Sequence, residues 1–311
     1  MFIRRNFLFL VAVLTTVLAV VVGATVWQRG RASAEAALGF PDEPFQTYWF
    51  SGKAELTSYD LRQVQYGQAN PGEAVLVFVT EDFRTDKQVK LESDQRDKAT
   101  PVLKLNQVRK FVTGIYDYSA MTSVFMPLDT RLFPHALKVT ASTQEWCGHT
   151  YQQLNLRGRR YHLTHHSYFE KEADQETTFD RAWLEDELWT RLRLSPETLP
   201  TGDLEVVPSL FFSRLKHRTP QPERATAARR DTTFAGQNVG VYTLGYPGLQ
   251  RRVELFFEKT APFRILGWEE TTVEKGHPLT THATRRQTLV TDYWKQHRPE
   301  GKALRDRLKI Q

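Results

Sequence analysis

The chain has 311 residues, 40% of them apolar and 12% aromatic, enough to bury a sizeable core in one large domain or two smaller ones and to exclude a disordered chain. Its formal net charge is +6, but residues 1–36 hold four arginines (Arg4, Arg5, Arg29, Arg31) against one acid (Glu35), which lowers the remainder by three to +3. That is too little positive charge to argue for nucleic acid.

Arg4 and Arg5 precede an uncharged run from Phe7 to Val26. At about 1.5 Å per residue, a helix of that length just crosses a hydrocarbon core of roughly 30 Å. Residues 1–28 therefore read as a transmembrane anchor or signal segment. The run exceeds the usual apolar region of a signal peptide, whereas Ala32-Ser33-Ala34 and Ala34-Glu35-Ala36 are small-residue patterns suited to cleavage, so both uses stay open. Arginines flank both sides, and the positive-inside rule only weakly prefers a cytoplasmic N-terminus. No second long apolar run follows. The expected location is the cell envelope, with the domain membrane-anchored or secreted to the periplasm and the membrane met through the N-terminal helix.

Residues 29–44 read as an Ala-rich, Pro-containing linker, and 45–294 as a β-rich extracytoplasmic domain. Nineteen Phe, eleven Tyr and seven Trp against three Met and one Cys suit pleated faces better than helix seams. Leu56 to Tyr66 reads as a strand, Asn70-Pro71-Gly72 as a turn, and Ala74 to Thr80 as a buried strand. Val89 to Leu91, Val102 to Val112, Ser119 to Met126 and Ala136 to Thr143 continue the pattern. Alternation through Tyr151 to Leu156 and Tyr161 to Thr164, on either side of Arg157-Gly158-Arg159, predicts an antiparallel hairpin. One packing helix is expected at about 181–193. Asp180 would be its N-cap, Trp183, Leu184, Leu188 and Leu192 its apolar stripe, and Ser195-Pro196 its end. A short helix around Ser209 to Lys216 follows. Val239 to Leu244, Gln250 to Phe257, Arg264 to Val273 and Thr280 to Val290 return to strands, and Asp292 to Ile310 reads as helical, ending in a basic tail at 295–311. The arginines and lysines from Arg214 to Arg230 are taken as a solvated loop around Thr219-Pro220. The fold class is mainly β: a large curved antiparallel sheet or open barrel whose two halves flank the packing helix, plus a short C-terminal helix.

Three constellations carry the candidate chemistry. Cys147 with Glu145 and His149 at two-residue spacing would share a strand face, as a nucleophile with its base would, but a neighbouring carboxylate raises a thiol's pKa, and a buried inert thiol is the plainer reading. Among His162, His165 and His166, helical spacing would pair the first and last as zinc ligands, but no glutamate follows and a strand separates them by about 13 Å. Finally, if Arg157-Gly158 form the loop, His149 faces His166 and Cys147 faces Tyr168. Two imidazoles and a thiolate on one face would then suit zinc or copper. A one-residue change of register removes that pairing. No organic cofactor motif is present, and one cysteine allows no internal disulfide.

Tyr48-Trp49-Phe50-Ser51-Gly52-Lys53-Ala54-Glu55, Val79 to Phe83 with Lys87-Gln88-Val89-Lys90, and Gln144-Glu145-Trp146-Cys147-Gly148-His149-Thr150 resemble a family of uncharacterised exported bacterial envelope proteins, over most of residues 45–294. Members are lipoprotein-like, and this chain departs from them in lacking the lipid-acceptor cysteine. Some relatives carry the label septum formation inhibitor Maf, but the Ser-x-Ser-Pro-Arg-Arg motif of true Maf pyrophosphatases is absent, so neither that fold nor that activity carries over. The resemblance implies an envelope location and no activity. The expected role is a binding or structural protein, with a lipid-like or elongated ligand on an aromatic sheet face or an envelope protein as partner. The alternatives are a weak hydrolase using Cys147 and His149, and a metal-binding protein using His149, His166 and Cys147.

Overall fold

A computed structural model describes residues 43–310; the expected anchor at 1–28 and nearly all of the linker at 29–44 lie outside the described residues. Helix α1 (Glu43–Trp49) leads into β1 (Ala54–Gln65), and from there the chain runs outward strand by strand. β2 (Gln68–Arg84), the two-residue β3 (Val89–Lys90), β4 (Ala99–Thr113), β5 (Tyr116–Pro127), β6 (Lys138–Glu145), β7 (Gly148–Arg157), β8 (Arg160–Ser167) and β9 (Gln175–Asp180) form one wing. β10 (Trp183–Leu184) and helix α2 (Glu185–Leu194) follow, then β11 (Gly202–Val207), helix α3 (Leu210–Leu215), β12 (Glu223–Phe234), β13 (Gln237–Tyr246), β14 (Arg251–Phe257), β15 (Ile265–Glu274) and β16 (His277–Thr291). The second wing closes on the first where β16 pairs antiparallel with β1, and helix α4 (Lys302–Leu308) ends the described chain. All strands belong to one open sheet of mainly antiparallel neighbours; β10 and β11 form its parallel pair.

The order of strands dictates the curl. β9 and β10 are the two terminal strands of the sheet, yet only Arg181 and Ala182 separate them in the chain. Three steps of 3.8 Å between Cα atoms bring the two edges within about 11 Å of each other. A sheet of this width can meet that constraint only by rolling up, and α2 occupies the roll. Every residue of α2 is buried, and its partners come from both wings. Trp189 stacks edge-on to Trp268 of β15 at 5.1 Å, and Arg193 reaches Glu55 of β1. A single apolar cluster then joins α1, α2 and inward residues such as Leu61, Phe78, Leu105, Val124, Leu154, Tyr242 and Leu255. α4 docks on the outside instead, where Leu308 is buried and its carbonyl accepts the Ser58 hydroxyl, so the basic tail is held against the sheet.

Several local expectations are corrected. The first hairpin turns at Tyr66-Gly67, both with positive φ (54° and 77°) as a tight primed turn requires, and Asn70-Pro71-Gly72 lies inside β2. Pro71 is tolerated there because β2 pairs only with β1 at that point, the ladder to β4 starting one residue later at Gly72. Gly72 is demanded by close approach, since a Cβ would sit 2.3 Å from the Lys110 carbonyl oxygen. The packing helix starts at Glu185, because Asp180 pairs with Arg160 in β9, while Trp183 and Leu184 pair with Val206 and Val207. Arg224, Arg229 and Arg230 stand on β12 and are no loop: Ala225 and Ala227 fill the inward positions between them. Among the described residues no helix is long and apolar enough to cross a membrane.

Candidate functional site

The interior is polar at many points, and helix α2 organises it. Its sequence, Glu-Asp-Glu-Leu-Trp-Thr-Arg-Leu-Arg-Leu, reads as charged on every side, yet each charge has a fixed partner. Glu185 accepts Arg251 at 2.7 Å and the Tyr246 hydroxyl at 2.8 Å. Glu187 bonds His135 Nδ1 at 2.9 Å and accepts its own helix-start amide, Leu184 N, at 3.1 Å. Asp186 accepts Leu210 N at 2.9 Å, fixing the start of α3; burial pushes its carboxyl up to about 6, with nearby Glu185 adding to the rise. Arg191 donates to the carbonyls of Thr198 and Pro134. Arg193 forms a two-pronged bridge to Glu55 (2.6 and 2.8 Å), donates to the Pro262 carbonyl, and lies over the Trp49 and Phe78 rings. A second cluster continues along the sheet: Arg109 reaches Glu270 at 2.7 Å, and Glu270 also faces Arg251.

α3 closes one end. Arg214, at its last turn, lies 3.5 Å from Glu145 and 3.6 Å from Glu172, while His217 just beyond bonds the same Glu172. Glu172 also accepts the Ser167 hydroxyl at 2.7 Å, which pins the β8–β9 loop to α3.

Between these clusters runs a row with a different character. Gln107, Thr122, Ala141, Gln152 and His165 are directly paired in turn across β4 to β8, all on the inward face. Gln107, Gln152 and His165 are at most 5% exposed. The Gln107 amide nitrogen, both amide atoms of Gln152 and both ring nitrogens of His165 nevertheless lack a hydrogen-bond partner within the protein. His165 Nε2 lies 3.4 Å from the Glu172 carboxylate without the alignment of a bond. Thr190 of α2 adds an unpartnered buried hydroxyl. Burial lowers the His165 pKa, which favours the neutral ring with one donor and one acceptor, the same pairing that the Gln152 amide carries. Small side chains surround the row: Thr122 and Ala141 stand between Gln107 and Gln152 within it, and Ala120, Thr143 and Thr150 follow Arg109 in the next inward row. Buried polar groups in native proteins are almost always satisfied, so this row calls for a bound polar molecule or ordered water.

The residues singled out by the sequence fall elsewhere. The β7–β8 hairpin turns at Gly158-Arg159, pairing Arg157 with Arg160, so Tyr151 faces His166 and Gln152 faces His165. The expected pairing of His149 with His166 and of Cys147 with Tyr168 is thereby corrected. The tight turn takes Gly158 (φ 61°) as its first central residue, one position later than expected. His149 and His166 are both exposed on the outer face, and His166 pairs with Asp174 at 3.3 Å. Cys147 sits exposed in the β6–β7 turn. Its thiol is pushed up by the hydrogen bond to Glu145 and by that carboxylate's charge. Glu145 points inward and His149 outward, so the three do not share a face. Among the described residues no group of three or more His, Cys, Asp or Glu is placed to hold a metal ion. Reasoning from sequence passed over Gln107 and Gln152, which belong to no motif, and weighed His165 only with His162 and His166 as a zinc-ligand group. The signal that was available is the alternation itself, which puts Gln152 and His165 on the face of Leu154 and Leu163.

No protein-family model matches the chain, and no curated protein matches it.

Proposed function

We propose that the protein is an envelope-associated binding protein, tethered through its N-terminal apolar run, whose ligand lies inside the curved sheet against Gln107, Gln152 and His165. The observation that carries this reading is the row of orphaned buried donors and acceptors in strict cross-strand register. Five such atoms, four of them on the directly paired Gln152 and His165 and one on Gln107 three strands away in the same row, cost about 1–3 kcal/mol each if left bare. The ligand class follows from the wall. Neutral amide and imidazole groups offer donors and acceptors in pairs, which suits an uncharged polar molecule bearing hydroxyl or amide groups. An acyl chain suits this end of the interior poorly, since it would satisfy none of them.

The test is native mass spectrometry of the full-length chain extracted from its own membrane in mild detergent, beside Gln152→Leu. The wild type should retain a small polar adduct that Gln152→Leu loses while keeping its fold. A bare mass for both proteins, with the stability of Gln152→Leu raised, would mean that the row holds water alone and would overturn the proposal.

A further inference from the structure

The hairpins of the first wing end alternately at two rims, and at one rim the tips are apolar. Tyr66 (β1–β2 turn), Ile115 (β4–β5 turn), Trp146 (β6–β7 turn) and Tyr168 (β8–β9 loop) are 62%, 82%, 67% and 76% exposed. They form a continuous string. The Tyr116 hydroxyl donates to Tyr66, Tyr66 and Tyr118 share a hydrogen bond of 2.7 Å, and the Tyr116 and Trp146 rings are 6.3 Å apart. The Tyr168 side chain lies over Gly148, beside Trp146, so closely that a Cβ on Gly148 would come within 2.8 Å of it. Seven strands about 4.8 Å apart carry this string along roughly 30 Å of rim. At the opposite rim the two-residue turns Asp86-Lys87, Gly158-Arg159 and Ala235-Gly236 carry no aromatic ring, and the exposed apolar side chains there, Leu132, Phe50 and Trp294 (73%, 47% and 45% exposed), are not joined ring to ring by hydrogen bonds across neighbouring hairpins.

We infer that this aromatic rim seats in the interfacial zone of a lipid bilayer, an inference that rests on the tether in the reading above. Three observations favour a bilayer over a protein partner. The exposed groups stand on four separate hairpin tips spread along the rim, which a fluid medium accepts without a matching surface. Tyrosine and tryptophan carry an apolar body and a polar edge, the pairing that concentrates at headgroup depth. Exposed bases, Arg62, Lys110 and Lys171, stand within five residues of a tip, with Lys275 in the adjoining turn of the second wing, although Asp117 and Glu170 lie among them.

The experiment uses the full chain in a Cys147→Ser background, labelled with an environment-sensitive fluorophore at Ile115→Cys or, at the other rim, Leu132→Cys. Both positions are more than 70% exposed, so neither substitution disturbs the core. The proteins are reconstituted into equimolar phosphatidylcholine and phosphatidylglycerol vesicles containing a shallow spin-labelled lipid. Quenching of the label at 115 should exceed that at 132 several-fold, and adding Trp146→Glu with Tyr168→Glu should abolish the difference. Vesicle flotation separates the two readings. A chain that fails to float with vesicles refutes the tether and this inference together, whereas a chain that floats with both labels equally unquenched refutes the rim alone. A dimer in detergent that Trp146→Glu dissolves, with no quenching in vesicles, would assign the rim to a second copy and overturn the inference.

Discussion

Arg193→Met tests whether α2 is enclosed by the sheet. The guanidinium of Arg193 is 1% exposed, bridges Glu55 with two bonds, donates to the Pro262 carbonyl, and lies 4.6 Å from the Phe78 ring centre. Methionine keeps most of the stem's packing but strands the Glu55 carboxylate. Removing one partner of a buried pair costs about 3–5 kcal/mol. Burial pushes the Glu55 carboxyl up, but Arg193, Tyr48 and Arg264 together outweigh it and hold the group below the usual range. Tyr48 and Arg264 remain in the variant, the latter 3.5 Å away, so the loss should fall toward the lower end, about 3 kcal/mol. The assay is urea unfolding of the wild type, Arg193→Met, Glu55→Gln and the double variant. Because Glu55→Gln removes the stranded charge, the double variant should be more stable than the sum of the single losses predicts, by about 2 kcal/mol. A loss below about 1 kcal/mol for Arg193→Met, with additive single effects, would refute enclosure, since those are the values of an exposed pair.

Three further outcomes follow from the same interior. Asp186 has its folded pKa raised to about 6 from an ordinary 3.8, so the native state binds the extra proton between those values. This group's stabilisation is complete at low pH and declines by about 3 kcal/mol as pH rises from 4 to 6, and Asp186→Asn should lack that component in pH-resolved unfolding; identical profiles would sink the assignment. Cys147, although exposed, should react with a disulfide reagent at neutral pH more slowly than glutathione does, and Glu145→Gln should speed it; equal rates would show that Glu145 does not restrain the thiol. Leu188→Ala, at a position only 1% exposed, should cost about 2–5 kcal/mol in thermal or chemical unfolding, and a change under 0.5 kcal/mol would place that side of α2 at the surface.

Much of the fold is legible in the sequence because strand faces here follow a clean alternation. Tyr151 to Leu156 and Tyr161 to Thr164 pair as the pattern requires, and the two strand-rich segments on either side of α2 are the two wings of one sheet. What the pattern hides is local competition. Asp180 looks like a cap but is worth more as the partner of Arg160 in a ladder, and Asn70-Pro71-Gly72 looks like a turn but sits where β2 has only one neighbour. β12 was missed because Ala225, Ala227 and its arginines have weak strand propensity, and its pairing with β11 and β13 overrides that preference. The interior charges of α2 defeat a hydropathy reading altogether: Glu185, Asp186 and Glu187 resemble a solvated helix start until Arg251, Leu210 and His135 are seen to meet them. The row at Gln152 and His165 depends on register, which a one-residue difference in the loop decides.

The enclosure of α2 is the premise from which the polar interior, and the ligand row within it, follow. Native-state hydrogen exchange at the amides of Leu188 to Leu194 tests it most directly. A helix held inside the rolled sheet can open only when the sheet does, so these amides should exchange with the same free energy as those of β4 and β5, the free energy of global unfolding. Exchange of α2 through a local opening several kcal/mol cheaper than that of the strands would contradict it.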